Sequence, residues 1–466
     1  MSAIALILAK RGFSVSGSDT RKNHIISELT KNGIKIFTEQ TEENIIFICN
    51  KGLNKPLIII STAIPKENKE LQKANEKELK VLHRSDVLSW LTKNQSSILI
   101  AGSHGKTTTS TIITTLLASN KADPTAIVGG IIPYYKSNGH SGKGKFLVAE
   151  ADESDGTIVK LSGEIGIITN IELDHTDYYP DIESLMKTIK IFSQRCKKVI
   201  ANYDCQNLRT FKSNILWWST ETFKRMDFAA IPSIINADKI IANFYEKEKF
   251  IGEITVPLTG LHNLNNAVGA ISACRLAGFS FNEIQHNLKY LKSPSRRLDF
   301  KGVWEKRYIF DDYAHHPSEI NATIDAARLL INSENSYFKG PAKRLVIIFE
   351  PHRYSRIKSL LEDFAISLGK ADSVFLAPIY SAGEDAINGI NNNKIVSLIN
   401  DKFENLPIFI LNDLKQIENI LKEKTLNNDL IIFMGAGNIN LISKSLIKRA
   451  TNINKFNDQS LLPKRT

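Results

Sequence analysis

The stretch ILIAGSHGKTTTSTIITTLLA, residues 98–118, decides the fold. Apolar residues 98–101 run into Gly102, and Gly105-Lys106 then open a Thr-rich segment of helical length that contains no proline. This order reads as strand, tight glycine loop and helix. Glycines let backbone N–H groups close around phosphate oxygens, and the helix N-terminus adds a favourable dipole. Lys106 is then placed to reach β- and γ-phosphates, and the Thr107 hydroxyl to ligate Mg²⁺. Gly102, Ser103, His104, Gly105, Lys106, Thr107 and Thr108 are therefore the candidate ATP-binding loop. A glycine-rich turn with a chance lysine is the plain alternative, but strand, loop, GKT and helix in that order argue against it. One departure matters: the common spacing GxxxxGK[ST] needs glycine at position 100, where Ile100 stands.

Outward from this loop the same texture continues. SSILIAG (96–102), GKFLVAE (144–150), EIGIITN (164–170), RLVIIFE (344–350), DSVFLAP (372–378) and DLIIFMG (429–435) are short apolar runs separated by helix-length segments. Strands apolar throughout imply parallel sheets covered on both faces, so the fold class is α/β. The 466 residues suit about three domains at ~150 residues each. Polar breaks at KNQSS (93–97) and LKSPSRRLDFKG (291–302) divide the chain into 1–95, 96–297 and 298–466. The polar tail 451–466 is expected to fray.

Composition narrows the partners. Hydrophobic residues make up 42% and charged residues 23%, ordinary for a chain that buries real cores. The net charge of +11 is spread along the chain with no basic arm, which argues against nucleic acid and fits a Lys-, Ile- and Asn-rich coding bias. Cys49, Cys196, Cys205 and Cys274 form no CxxC pair, as expected of free thiols in a reducing cytoplasm. Apolar runs such as PLIII (56–60) are far too short to span a bilayer. The opening MSAIALIL carries its positive charges after the apolar run, unlike a signal peptide.

Two acidic clusters follow apolar strands. FLVAEADESDG (146–156) puts Glu150 at a strand's C-terminal end, and ITNIELDHTDYY (168–179) does the same for Asp174 and His175. Strand C-termini are where α/β sheets assemble their sites. Magnesium beside Thr107, Glu150 and His175 would bridge phosphate oxygens and a reacting carboxylate. In TGLHNLNNAVGA (259–270), Asn263 and Asn266 suit an adenine, although helix capping is the alternative.

The short loop GSHGKT resembles that of the Mur ligases and folylpolyglutamate synthases. VSGSD (15–19), STAIP (61–65), AGSHGKTTT (101–109), VAEADESDG (148–156), TNIELDH (169–175), GLHNLNNA (260–267), DDYAHHPSE (311–319), PHRYSR (351–356) and GAGNI (435–439) extend the resemblance to the Mur ligases over essentially the whole chain. It implies an N-terminal Rossmann-like UDP-binding domain, a central P-loop-type ATPase domain and a C-terminal Rossmann-like domain. The implied activity is that of the members that join L-alanine to UDP-N-acetylmuramate through an acyl phosphate, with ATP and Mg²⁺, as a cytoplasmic monomer or homodimer. Residue by residue, it implies that Lys106 holds phosphates while Thr107, Glu150 and His175 serve the metal. Asn263 would contact adenine, and Arg297 and Asp312 would bring the C-terminal domain onto the nucleotide. Asp19, Arg84, Asp152, Glu153 and Ser154 fall on the UDP-muramyl side. Tyr313, His315, Arg353 and Arg356 match the pocket for alanine and the reacting carboxylate. Arginine suits that task because its planar fork binds carboxylates bidentately.

Leu298 stands where the family more often has Phe. Members that attach a whole tripeptide usually have Phe where Tyr313 stands, and their PHRYSR stretch differs. A Rossmann oxidoreductase built on GAGNI lacks the downstream acidic partner. In the family a strand and glycine-rich loop precede the first helix, and this chain opens inside that motif with Met1-Ser2. The resemblance therefore implies an N-terminal parallel sheet without its central strand, which would leave ladder groups unpaired. It also implies either a start upstream of Met1, the favoured expectation, or a shortened chain that binds the UDP substrate poorly.

Overall fold

The computed structural model describes residues 1–20, 24–52, 54–211, 214–333 and 342–459. The run around the glycine loop sits at the centre of a ten-stranded sheet. In spatial order its strands are Lys249–Val256, Ile240–Glu246, Phe228–Ile235, Ile215–Ser219, Cys196–Asn202, Gly163–Ile168, Ser96–Ala101, Phe146–Glu150, Thr125–Ile132 and Ser137–His140. From Phe228–Ile235 to Thr125–Ile132 every neighbouring pair is parallel. The period-2 geometry of a strand explains why these runs are apolar throughout. Ile98 and Ile100 pack on one face with Ile113, Leu116, Ile167 and Trp218, while Leu99 and Ala101 pack on the other with Leu147, Leu185 and Phe192.

The expectation of parallel sheets holds for this centre and not for its edges. Phe228–Ile235, Ile240–Glu246 and Lys249–Val256 form an antiparallel ribbon, and Ser137–His140 is antiparallel to Thr125–Ile132. The ribbon has one buried face, with Ala242, Phe244, Ile254 and Val256, and one wet face with Phe250 and Ile251 exposed. Its second hairpin turns on Lys247 and Glu248, at φ 47° and 66°, between Glu246 and Lys249. That is the primed two-residue turn that Asn-Gly usually signals, built here from charged residues.

The C-terminal sheet has six strands in the order Asp299–Trp304, Arg307–Asp312, Leu430–Met434, Leu345–Phe349, Ser373–Leu376 and Ile408–Ile410, all parallel except the first hairpin. Its last helix, Ile439–Gln459, runs through the first part of the tail expected to fray, and 460–466 lie outside the described residues. The N-terminal unit is slighter. Ser16–Ser18 pairs with Lys35–Phe37 and Ile58–Ile60 with Val81–His83, both parallel, and among the described residues no ladder joins the two pairs. Its first helix, Ser2–Lys10, lies against the central domain, where Asn138 Nδ2 donates to Ser2 Oγ at 2.9 Å.

Candidate active site

At the end of the strand Ser96–Ala101 the chain turns through Gly102 and Gly105, at φ 124° and 83°, into the helix Lys106–Ser119. Both glycines are forced. A Cβ on Gly102 would lie 2.2 Å from Thr169 Oγ1, and one on Gly105 would lie 2.4 Å from Asn266 Oδ1. The loop is pinned by the parallel neighbour: His104 N–H donates to Asn170 Oδ1 at 2.9 Å, and Ser103 Oγ donates to Glu172 O at 2.8 Å. Asn266, offered as an adenine partner, therefore backs the loop.

Lys106 Nζ donates to the carbonyls of Gly102 and Ser103 and to Glu153 Oε1, the last at 2.7 Å. Glu153 is 1% exposed, and burial pushes its carboxyl up to about 7 in spite of Lys106. Burial alone would lower the Lys106 ammonium, but Glu153, Asp152 and Glu150 outweigh it and raise its pKa. Burial would likewise raise Asp152, yet Lys106 and Arg84 hold it well below the usual carboxylate range. Arg84 Nη2 donates to Asp152 Oδ2 at 2.6 Å across the boundary with the N-terminal unit. Ser154 donates its N–H to Asp152 Oδ1 at 3.1 Å. Asp19 lies in the N-terminal unit, where its N–H donates to Phe37 O at 3.0 Å.

The proposed metal residues border this cluster. Glu150 Oε1 accepts from Gly129 N–H at 2.7 Å and Ser110 Oγ at 3.3 Å, and Thr107 packs beside Gly130. His175 sits at φ 54° with Nε2 3.9 Å from Glu153 Oε1, and burial lowers its pKa, favouring the neutral imidazole. A hydroxyl, a carboxylate and a neutral imidazole are donors a divalent cation can use. Glu153 Oε2 is buried without a hydrogen-bond partner, an acceptor left over beside these donors. The set fits Mg²⁺.

The C-terminal domain supplies the opposite wall. Asp312 is buried, accepts from Leu298 N–H at 2.6 Å and Ala314 N–H at 2.7 Å, and is pushed up to about 6 by burial despite Arg297. Arg296 and Leu298 flank Arg297 at φ 64° and 44°, so the inter-domain linker is strained around that arginine. The Tyr313 ring lies against both guanidiniums, 4.8 Å from Arg296 and 5.6 Å from Arg297, and 5.3 Å from His315 edge-on. Burial, with Arg356, pulls His315 down to about 4. Arg353 and Arg356 both turn to carboxylates of the central loop: Arg353 Nη1 donates to Asp177 Oδ2 at 2.6 Å, and Arg356 Nη2 lies 2.8 Å from Asp174 Oδ1. The pair Arg356–Asp174 is buried, and although burial would raise Asp174, Arg356 and His175 hold it well below its ordinary value.

Between the walls lies a cavity of about 680 Å³, lined by His104, Gly105, Thr108, Asn263, Arg297 and Asp312 among others. Asn263 donates to Thr259 O at 2.7 Å, a bond inside its own helix start. Sequence reading missed Glu172, His316 and Glu319, although all three stood in the quoted motifs. His104 lies 3.6 Å from Glu172 and 3.4 Å from Glu319, with its ring 4.6 Å from that of His316. Burial would lower the His104 pKa, but the two carboxylates push it up to about 10. His104, Glu172 and His316 could also gather round a cation, their ligand atoms lying within 4.8 Å of one another. It also missed Thr62 and Asp155, which meet at 2.6 Å and join the N-terminal unit to the site.

Fold and site define a three-part α/β protein whose phosphate loop is roofed by its C-terminal domain. Comparison with known proteins agrees along the chain: "Mur ligase family, catalytic domain" matches residues 1–96, "Mur ligase middle domain" 100–274, and "Mur ligase, glutamate ligase domain" 296–437. The chain belongs to the Mur ligase family. It is similar to the UDP-N-acetylmuramate–L-alanine ligase of Prochlorococcus marinus, 54% identical over 96% of this chain and 95% of that one. It is also similar to the enzyme of the same name from Synechococcus, 46% identical over 94% of each. Among solved structures, UDP-N-acetylmuramate-alanine ligase from Thermotoga maritima shares the fold with TM-score 0.79, 23% identity and 97% of each chain covered. A murein peptide ligase from Psychrobacter arcticus shares it with TM-score 0.70, 19% identity, and 97% and 96% covered. Among the described residues no helix is long and apolar enough to cross a membrane.

Proposed function

We propose that the chain joins L-alanine to the lactyl carboxylate of UDP-N-acetylmuramate using ATP, a cytoplasmic step in building peptidoglycan precursors. The observation that carries this reading is Lys106, with Glu150, Glu153 and His175 close to it, at the end of a loop whose Gly105 lines a cavity closed by Arg297, Asp312 and Glu319 of the linker and C-terminal domain. Similarity to the ligases of that name supports it. The units 1–95, 96–297 and 298–466 would handle the UDP substrate, ATP and the amino acid respectively.

A carboxylate is a poor electrophile until it gains a leaving group. Its oxygen attacks the γ-phosphorus, forming an acyl phosphate and releasing ADP. The amine then adds to the carbonyl carbon, and the tetrahedral adduct collapses with loss of inorganic phosphate and one amine proton. Lys106 swings from its carbonyl and Glu153 partners to the phosphates, where its charge is needed as negative charge shifts. Thr107, Glu150 and His175 would hold Mg²⁺, which supplies Lewis-acid neutralisation of the phosphates. Tyr313 and His315 border the amine's approach, where His315 stands as a neutral imidazole able to accept a hydrogen bond from it. Arg353 and Arg356 lie at the same wall and would exchange a protein carboxylate for one of substrate.

Incubation with ATP, UDP-N-acetylmuramate and L-alanine tests this. Phosphate release dependent on both co-substrates, with a new amide by mass spectrometry, is expected; release independent of either overturns the ligase reading. A large preference for a tripeptide over L-alanine overturns the choice of amine.

A further inference from the structure

We infer that Glu319 is a positioning residue that couples the phosphate loop to the amino-acid side of the site. It rests on the ligase reading above. Glu319 stands in the first turn of the helix Pro317–Ile331, with its side chain 9% exposed. Its two oxygens face different domains. Oε1 lies 3.4 Å from His104 Nδ1 in the phosphate loop and 3.2 Å from Arg297 Nη1 in the linker. Oε2 accepts from His315 N–H at 3.1 Å and lies 3.2 Å from His315 Nδ1. One carboxylate therefore touches the loop that carries phosphate, the strained linker and the histidine beside the amine pocket.

The chemistry of the contacts makes charge essential. The groups that touch the Glu319 oxygens, from His104, Arg297 and His315, are donors, and only an ionised carboxylate accepts fully on both oxygens. Glutamine offers one acceptor and one NH₂, so one side must present a donor to a donor. On the Oε2 side the tautomer is fixed as well: His315 Nδ1–H donates to Tyr313 O at 2.9 Å, and Glu319 Oε2, 3.2 Å from the same nitrogen, favours the proton there. The lone pair is left on Nε2, where it can accept a hydrogen bond from an incoming amine. On the Oε1 side, Glu319 grips His104 from the C-terminal domain while Glu172 grips it from the central domain at 3.6 Å. A shift of the loop on nucleotide binding thus reaches His315 through one carboxylate.

The test uses the full chain in steady-state assays with ATP, UDP-N-acetylmuramate and L-alanine. Glu319→Gln should lower kcat at least about tenfold and raise KM for L-alanine, with KM for UDP-N-acetylmuramate and the melting temperature nearly unchanged. His104→Gln, which touches only the Oε1 side, should also raise KM for L-alanine. The double variant should be no worse than the more damaged single, because the two act through one contact. Wild-type kinetics in Glu319→Gln, an unmoved L-alanine KM in His104→Gln, or single effects that multiply in the double would each overturn the inference while leaving the ligase reading intact. If Glu319→Gln melts early, the L-alanine KM of His104→Gln alone decides. A wild-type chain without substrate-dependent phosphate release would instead remove the ligase reading, and this inference with it.

Discussion

The phosphate loop and the N-terminal unit are both built from strand, turn and helix, yet they are held very differently. The strand that feeds the loop, Ser96–Ala101, is buried at five of six positions and has a parallel neighbour on each side. Ser16–Ser18 and Ile58–Ile60 are three residues long, have no fully buried position, and pair with one strand each. Where two ladders and two apolar layers fix a strand, the turn after it can hold forced glycines and a buried Lys–Glu pair. Where one ladder and half-buried side chains do the work, opening is cheaper. On the proposed function, ATP chemistry would sit on the rigid region and the UDP side on the softer one.

Breaking the rigid side should cost most. Lys106→Ala should cut phosphate release on the order of 10³-fold or more. The fold should survive, because Glu153, already pushed up to about 7, can take a proton once its partner is gone. Retained turnover, or loss of the circular dichroism of the folded chain, would show that the loop or the pair is misread.

Next comes the seam between the rigid centre and its roof. Asp174→Asn leaves the Arg356 guanidinium buried and uncompensated, a change that costs about 3 kcal/mol in comparable pairs. Undocking of the C-terminal domain should expose the linker 291–298, and proteolysis there should quicken by about 100-fold. Because the Asp174 pKa is depressed on folding, its contribution is full above the unfolded value and is lost only as pH falls through the lower folded one. The wild-type seam should therefore hold at pH 5. Equal cleavage rates in the two proteins would mean the pair does not hold the seam.

The smallest effect belongs to the soft side. Arg84 is 30% exposed and pairs with Asp152 across the N-terminal boundary. Partly exposed pairs contribute about 0.2–1 kcal/mol, so Arg84→Met should barely move the melting temperature. It should raise KM for UDP-N-acetylmuramate a few-fold and leave KM for ATP alone. A larger rise for ATP would reverse the comparison.

How much of this was legible in the sequence follows the same division. The central strands and the loop announced themselves because burial on both faces forces unbroken apolar runs and the glycines tolerate no Cβ. The antiparallel ribbons did not, because Lys247-Glu248 and Glu305-Lys306 adopt positive φ without the glycine that marks such turns. Thr107, Glu150, His175, Arg353 and Arg356 stood out by motif, but motif could not say that both arginines turn to Asp174 and Asp177. Glu319 was passed over because its meaning lies in what a second domain brings to it. A glutamate in the first turn of a helix reads, by itself, as dipole compensation.

The central claim is that a substrate carboxylate is activated on phosphate at Lys106 and then captured by an amine. Labelling the lactyl carboxylate of UDP-N-acetylmuramate with ¹⁸O and weighing the phosphate released during turnover with L-alanine tests it most directly. The account predicts one ¹⁸O in each phosphate, since the oxygen that attacks phosphorus leaves with it when the amine expels phosphate. Phosphate without label, formed alongside the amide, would contradict it.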